Sequence, residues 1–307
     1  MIKAAIWGGG TLEGGELIRL LAMHPEVEIT EVEGQGLSGK PLTSHHHGLI
    51  GETTRNFSSS VDFDKCDVLF VCDETLGAEK VMSLRSRRPD LKIILLSRQA
   101  GLDYEKGGFV YGLPEINRKQ MVRGATAAVV PESMATMALV ALFPFSRNLL
   151  LSGEIAISVT APQSIIEETD MMQVKREIET MLHSVQLSYD GEITIELHPS
   201  EARRSALMDI EFRCELNHEA MIELYDIYDD HNFTFITTTR VGVSEVAGTN
   251  KCIVGVMQPE EGKARLMVAA DCRLRGASGE AIHIMNLLFG LHEKTGLALK
   301  AIDYNRL

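Results

Sequence analysis

The sequence predicts an α/β protein in two parts: a doubly wound domain on a parallel sheet, and an inserted α+β domain with a mixed or antiparallel sheet. Three observations carry this expectation. Over roughly the first 145 residues, continuous apolar runs alternate with helical patterns, as buried parallel strands and their crossovers do. A cluster of glycines stands where the first run gives way to the first helix. Beyond Phe145 the strands often alternate apolar with polar residues, which suits a sheet buried on one face.

Taken in order, IKAAIW (2–7) is a short buried strand, a helix follows over 14–23, and VEITEVE (27–33) is the second strand. Such a strand–helix–strand unit crosses over right-handed. DVLFVC (67–72), KIILLS (92–97) and ATAAVV (125–130) continue the parallel series. The last runs into AVVPESMATM (128–137), a strand that breaks at a proline and turns directly into a helix. In α/β proteins, ligands and nucleophiles gather at such carboxyl-end corners. The second part offers strands at EIAISVT, EITIEL, LMDIEFRCEL, FTFITT, KCIVGVM and RLMVAAD, with helical patterns over 165–182 and 219–228. In the third of these strands Met208, Ile210, Phe212, Cys214 and Leu216 share one face. A last helix over 279–291 carries Ile282, Met285, Leu288 and Phe289 on one stripe and is placed to return to the first domain. The expected domains are 1–147, completed by a C-terminal segment of about 277–307, and 148–276.

The formal charge of −13 opposes binding to nucleic acid, which needs a basic face, and to anionic membrane surfaces. A small-molecule partner is expected instead. The cysteines at 66, 72, 214, 252 and 272 match no zinc or redox spacing and read as buried, reduced thiols of a cytoplasmic protein. The best apolar run, MATMALVALFPF, ends after twelve residues, short of the roughly 20 a spanning helix needs. His45, His46 and His47 are adjacent and cannot share one face, so they read as a solvated loop, and no metal is expected.

WGGGTLEGGE places Gly8, Gly10 and Gly14 between the first strand and the first helix. Glycine suits that position because the turn needs positive φ and the backbone must approach a pyrophosphate at the helix start. These three are the candidate cofactor-binding glycines of a Rossmann-type domain. Glu33 ends the second strand about 20 residues on, where an acid binds ribose hydroxyls, and it is followed by Gly34, Gln35 and Gly36. With no arginine beside it, the cofactor expected is NAD or NADP, with NAD favoured.

GGELIRLLAMHPEVEI, SGKPL, YGLPEINR, AVVPESMAT, GTNKC and DCRLRGASGEAIHIMNLLFGLHEKTGL together resemble the N-acetyl-γ-glutamyl-phosphate reductases of the semialdehyde dehydrogenase family. The resemblance spans nearly the whole chain. It implies a homodimer or homotetramer that reduces an acyl phosphate to an aldehyde in arginine synthesis. A cysteine thiolate attacks, the thioester accepts hydride, and a histidine acts as acid/base. By the same resemblance Gly8, Gly14, Thr249, Asn250, Asp271, Gly276 and Gly279 are retained, Arg275 replaces a lysine, and His198 and Arg204 match the family's cleft segment. Asn250 and Arg204 are thus candidate substrate-binding residues, and Arg275 and Gly276 candidate cofactor-binding residues.

The chemical positions depart from the family. Its Pro-Gly-Cys is here Pro131, Glu132 and Ser133, and its His-Arg-His-x-Pro-Glu-Ile aligns with MQVKREI, so Met172 and Val174 replace the histidines. Cys272 replaces an asparagine, and the basic 2′-phosphate residue falls on Gln35. A serine is far less acidic than a thiol and needs a positioned base. Glu132 beside it would oppose an alkoxide. Ser133 is therefore expected to cap a helix starting at Met134. The expectation is a divergent, NAD(P)-binding family member without the thiol chemistry. The alternatives are an oxidoreductase moving hydride without a covalent intermediate, with Glu132 or His198 as acid/base, and an active reductase whose nucleophile is Cys252 or Cys272.

Overall fold

The structure is a computed structural model describing residues 1–258 and 262–302. Along the chain come β1 (Ile2–Trp7), α1 (Leu12–Leu21), β2 (Val27–Val32), α2 (Leu42–His45), β3 (Val68–Val71), α3 (Ala78–Arg87), β4 (Lys92–Leu95), β5 (Val110–Tyr111), α4 (Pro114–Val122), β6 (Ala127–Val129) and α5 (Ser133–Arg147). There follow β7 (Ile155–Pro162), α6 (Gln163–Glu168), α7 (Met171–Val185), β8 (Ile193–Ser200), β9 (Ser205–Arg213), α8 (His218–Glu223), β10 (Thr234–Thr237), β11 (Cys252–Val256), β12 (Lys263–Asp271) and α9 (Ser278–Leu288).

The chain divides into two compact units. The first comprises Met1–Pro131 and Ala277–Ala298, and the second comprises Glu132–Gly276 with the described residues after Ala298. The division falls after Pro131, not near 147 as the sequence suggested. The reason is packing: every residue of α5 from Met134 to Ser146 is buried, and the helix lies against α7, β9, β11 and β12 of the second unit. Of the expected return segment, 303–307 lie outside the described residues.

The first unit is built on a wholly parallel sheet in the order β2-β1-β3-β4-β6-β5. Its order reverses at β1, and the crevice beyond the carboxyl ends of β1 and β3 is the expected ligand position of such a sheet. Val68–Val71 are wholly buried, as the continuous apolar run requires. On one face Leu69, Val71, Ile93 and Leu95 meet Val81 and Leu84 of α3. Helix α9 packs on α1, α4 and β4.

The second unit carries a mixed sheet, β10-β11-β12-β9-β7-β8, with antiparallel pairing at its centre and parallel pairs at both edges. Met208, Ile210, Phe212 and Cys214 are buried while Glu211, Arg213 and Glu215 are exposed, the alternation read from the sequence. The helical stretch expected over 165–182 is two helices, not one. The first ends at Glu168 with Thr169 as its C-cap, and Asp170 caps the second, accepting from Met172 N at 3.0 Å and Gln173 N at 3.2 Å.

Candidate functional site

In the first unit β1 delivers Gly8 at φ +77°, a conformation glycine adopts without strain. Thr11 then ties the turn together, donating its hydroxyl to Gly8 O at 2.9 Å and accepting from Gly14 N at 3.0 Å as the cap of α1. Gly14 has no room for a side chain, since a Cβ there would stand 2.7 Å from both Gly8 O and Gly9 Cα. A Cβ on Gly10 would stand 2.9 Å from Leu37 Cδ1 of the loop after β2. Glu33 is buried and accepts from Gly8 N at 3.2 Å. Burial holds its pKa above the ordinary value; the Gly8 N–H works against this and the Asp73 charge with it. One oxygen of the acid expected at a ribose is thus turned onto the glycine loop. A backbone free of side chains at the positive end of a ten-residue helix fits a dinucleotide pyrophosphate.

The histidine run is exposed at His45 and His47, as the sequence suggested, but it is not a free loop: His45 ends α2 and two of the rings bond to the glycine turn. His46 Nε2 lies 2.7 Å from Gly9 O and His45 Nε2 lies 2.9 Å from Gly10 O. A carbonyl only accepts, so each imidazole donates from Nε2. The two rings meet edge-on at 4.8 Å and both contact Phe57, while His47 stays exposed. A Cβ on Gly15 would collide with the His46 ring at 2.5 Å, which explains that glycine by packing. Three adjacent histidines with one type of residue give no sequence pattern for this; only the fold back of α2 shows it. Among the described residues no cluster of three His, Cys, Asp or Glu side chains is placed to hold a metal ion.

The corner belongs to the second unit. Ser133 is not the cap: α5 starts at Ser133, and Glu132, with extended backbone, is the cap residue and makes no side-chain cap bond. The first helical bond runs from Thr136 N to Glu132 O at 2.8 Å. The Glu132 N–H is held by Glu177 Oε2 at 3.1 Å, and Gln173 Nε2 donates to Glu177 Oε1 at 3.0 Å. Sequence reasoning passed over Glu177, although it occupies the glutamate of the family segment aligned with MQVKREI. Ser133 Oγ is buried without a hydrogen bond of good geometry. The thiol in reach of it is Cys272, and burial pushes that thiol up to about 11 with Ser133 working the other way. Gly276, at φ +66°, lets Ser133 approach: a Cβ there would stand 2.5 Å from Ser133 Cα.

The remaining predicted residues are placed as follows. His198 lies on β8 with an exposed side chain 3.9 Å from Glu196, and no contact joins it to Ser133. Arg204 Nε binds Asp271 Oδ2 at 2.5 Å, and the same carboxylate accepts from Gly248 N and Arg273 N. Arg204 is therefore engaged, through Nε, in an ion pair with a buried carboxylate, while its side chain stays 26% exposed. Asn250 is 1% exposed, and neither amide atom has a hydrogen-bond partner. Arg275 is wholly buried in the second unit, and Gly276 packs on the Ser133 backbone there. All five cysteines are buried and none forms a disulfide.

Residues 3–123 match the family profile described as the NAD binding domain of semialdehyde dehydrogenases. Fold and turn together define a nicotinamide-dinucleotide-binding protein of that class. Among solved structures, aspartate semialdehyde dehydrogenase II of Vibrio cholerae complexed with ASA superposes with a TM-score of 0.67 at 14% identity, covering 94% of this chain and 98% of that one. Aspartate semialdehyde dehydrogenase of Candida albicans, with NADP, gives 0.62 at 13%, covering 94% and 98%. At these identities the likeness is one of fold. In sequence, N-acetyl-γ-glutamyl-phosphate reductase of Bacteroides thetaiotaomicron is 32% identical, covering 98% of this chain and 99% of the relative, and that of Azobacteroides pseudotrichonymphae is 34% identical over the same shares. The chain belongs to the N-acetyl-γ-glutamyl-phosphate reductase family.

Proposed function

We propose that this chain binds a nicotinamide dinucleotide and a small-molecule ligand of the family's type but does not carry out thiol-based reduction of an acyl phosphate. The observation that carries this reading is the corner itself. Residue 133 is a serine with no base hydrogen-bonded to it, and the nearby thiol of Cys272 is 6% exposed and held near 11. At neutral pH a thiol with that pKa is almost entirely un-ionised and a poor nucleophile. The carboxylates of Glu132 and Glu177 belong to the same corner, and an anion forming at Ser133 would meet their charge. When bound, the dinucleotide supplies or accepts hydride; the residues of this chain bind and orient it. The cofactor reading rests on the glycine turn, and NAD is favoured over NADP by the sequence, in which the acid Glu33 follows the second strand with no arginine beside it.

The test is phosphate- and NAD(P)-dependent oxidation of N-acetylglutamate semialdehyde, followed at 340 nm, alongside calorimetric titration with NADH and NADPH. Dinucleotide binding with turnover at least 1,000-fold below ordinary enzyme rates of about 10 s⁻¹ is expected. Turnover at ordinary rates overturns the reading, as does failure of both dinucleotides to bind at millimolar concentration. A Ser133→Cys variant is expected to remain inert, because Met172 and Val174 stand where the acid/base is needed. One observation favours a second reading, in which Cys272 has taken over as nucleophile: its thiol stands in reach of Ser133. Turnover by the native chain that disappears in Cys272→Ser would select it.

A further inference from the structure

The histidine run contacts the dinucleotide turn, and its residue type gives that contact a consequence. The glycine turn is set among acids. Glu33 bonds to Gly8, Asp73 lies against Gly8 closely enough that a Cβ there would stand 2.7 Å from its carboxylate, and Glu13 is in the first turn of α1. The chain as a whole carries −13. An anionic pyrophosphate entering this turn meets the helix dipole and N–H groups as favourable terms, and these carboxylates as unfavourable ones. The basic side chains hydrogen-bonded to the turn carbonyls are His45 and His46.

We propose that His45 and His46 are positioning residues for the dinucleotide pyrophosphate, holding the Gly10 and Gly9 carbonyls through Nε2, with His46 taking up a proton at Nδ1 when the pyrophosphate binds. The inference rests on the dinucleotide reading of the turn. With Nε2–H as the donor, the two rings pin the Gly9 and Gly10 carbonyls. Protonation leaves those bonds in place and adds positive charge beside the turn. Burial holds His46 below the ordinary histidine range, with the Gly9 carbonyl opposing and His45 adding to the effect. In the unliganded protein His46 is therefore neutral at neutral pH, and a bound anion draws it toward the charged form. Among the described residues, the titratable groups that surrounding elements bring to the turn include Glu33 from the end of β2, Cys72 and Asp73 from beyond β3, Glu13 from α1 and the two histidines themselves.

Linkage fixes the sign. If binding raises an imidazole pKa, the ligand binds more tightly as pH falls, and protons are taken up on binding. NAD⁺ and ADP-ribose are suitable probes, because their pyrophosphates stay fully ionised from pH 5.5 to 8 and ADP-ribose lacks the nicotinamide. Calorimetric titration of the full chain in buffers of differing ionisation enthalpy measures both Kd and proton uptake. A one-unit shift of one imidazole gives binding tighter by at most about tenfold at pH 5.5 than at pH 8.0. The double variant His45→Gln, His46→Gln retains a donor for each carbonyl but cannot titrate in this range. It is expected to keep its melting temperature while losing the slope and the proton uptake. If the double variant does not fold, His46→Gln alone, which keeps a donor for Gly9 O, is expected to remove both. Binding with no pH dependence, or a slope that survives in the folded glutamine variants and so belongs to Glu33, overturns the proposal. Absence of binding by either probe at every pH overturns the dinucleotide reading instead.

Discussion

The glycine turn of the first unit and the serine corner of the second are both built on a glycine that excludes a side chain. A Cβ on Gly14 would meet the carbonyl of Gly8 at 2.7 Å, and a Cβ on Gly276 would meet Ser133 Cα at 2.5 Å. The turn surrounds that backbone with donors and a helix start suited to a phosphate. The corner surrounds its own with a serine, a buried thiol and a carboxylate on the Glu132 N–H. Backbone geometry and side-chain chemistry have thus parted company at the corner while remaining matched at the turn. A close-packed scaffold imposes its cost on any substitution at these glycines, whereas the reacting side chains of the corner can change without disturbing it.

The largest effects should come from those glycines. Gly276→Ala adds a Cβ against backbone at positive φ and is expected to destabilise by about 3 kcal/mol or more, read from urea unfolding. Gly14→Ala is expected to weaken NADH binding by more than about tenfold, since moving the Gly8 carbonyl displaces the turn. If Gly276→Ala were harmless, the corner would not be the tightly packed scaffold described.

Next comes a buried ion cluster of the first unit that supports neither site directly. Glu293 accepts from Arg118 at 2.7 Å and bonds His283 Nε2 at 2.7 Å, while His283 Nδ1 lies 3.2 Å from Glu280. Burial works to raise the Glu293 carboxyl, but His283 and Arg118 together hold it at about 2. A depressed carboxyl contributes stability that is present above its unfolded value near 4.5 and is lost as pH falls toward 2, here on the order of 2 kcal/mol. Glu293→Gln is expected to cost about 3 kcal/mol at pH 7 and to flatten that acid limb, followed by circular dichroism from pH 6 to 2. An unchanged acid limb would mean that the pair does not hold the carboxyl down.

Thiol reactivity sharpens the comparison at the corner. Burial pushes Cys66 and Cys272 to about 11, so native protein at pH 8 is expected to react with Ellman's reagent at least 100-fold more slowly than unfolded protein. Fast labelling that vanishes in Cys272→Ser would show the corner to be open and its thiol available. The smallest effect expected is Thr11→Ala, which removes the α1 cap and costs about 1 kcal/mol, measured by the same urea titration.

Much of the fold was legible because buried parallel strands must be continuously apolar and half-buried strands must alternate. Val68–Val71 and the run from Met208 to Cys214 show the two patterns directly. The α6–α7 break was not read, since the stretch keeps its apolar spacing across Asp170 and the cap that divides it is a single local hydrogen-bonding choice. Nor was the place of α5: a helix that is apolar almost all round does not say which neighbour it packs against. At the sites, the glycines declared themselves through their spacing, but Glu177 and the His45–His46 pair act on backbone far away in the chain.

By itself, the sequence determined the two-part α/β architecture, the glycine turn and the serine at residue 133. Those follow from local periodicity, from the need for positive φ and from residue identity. Tertiary structure alone decided that Glu132 rather than Ser133 caps α5, that Arg204 is taken up by Asp271, that Cys272 lies in reach of Ser133, and that two histidines hold the dinucleotide turn. The physical reason is that a hydrogen bond or a desolvated charge depends on which partner the fold brings within about 3 Å, and no pattern along one chain carries that distance.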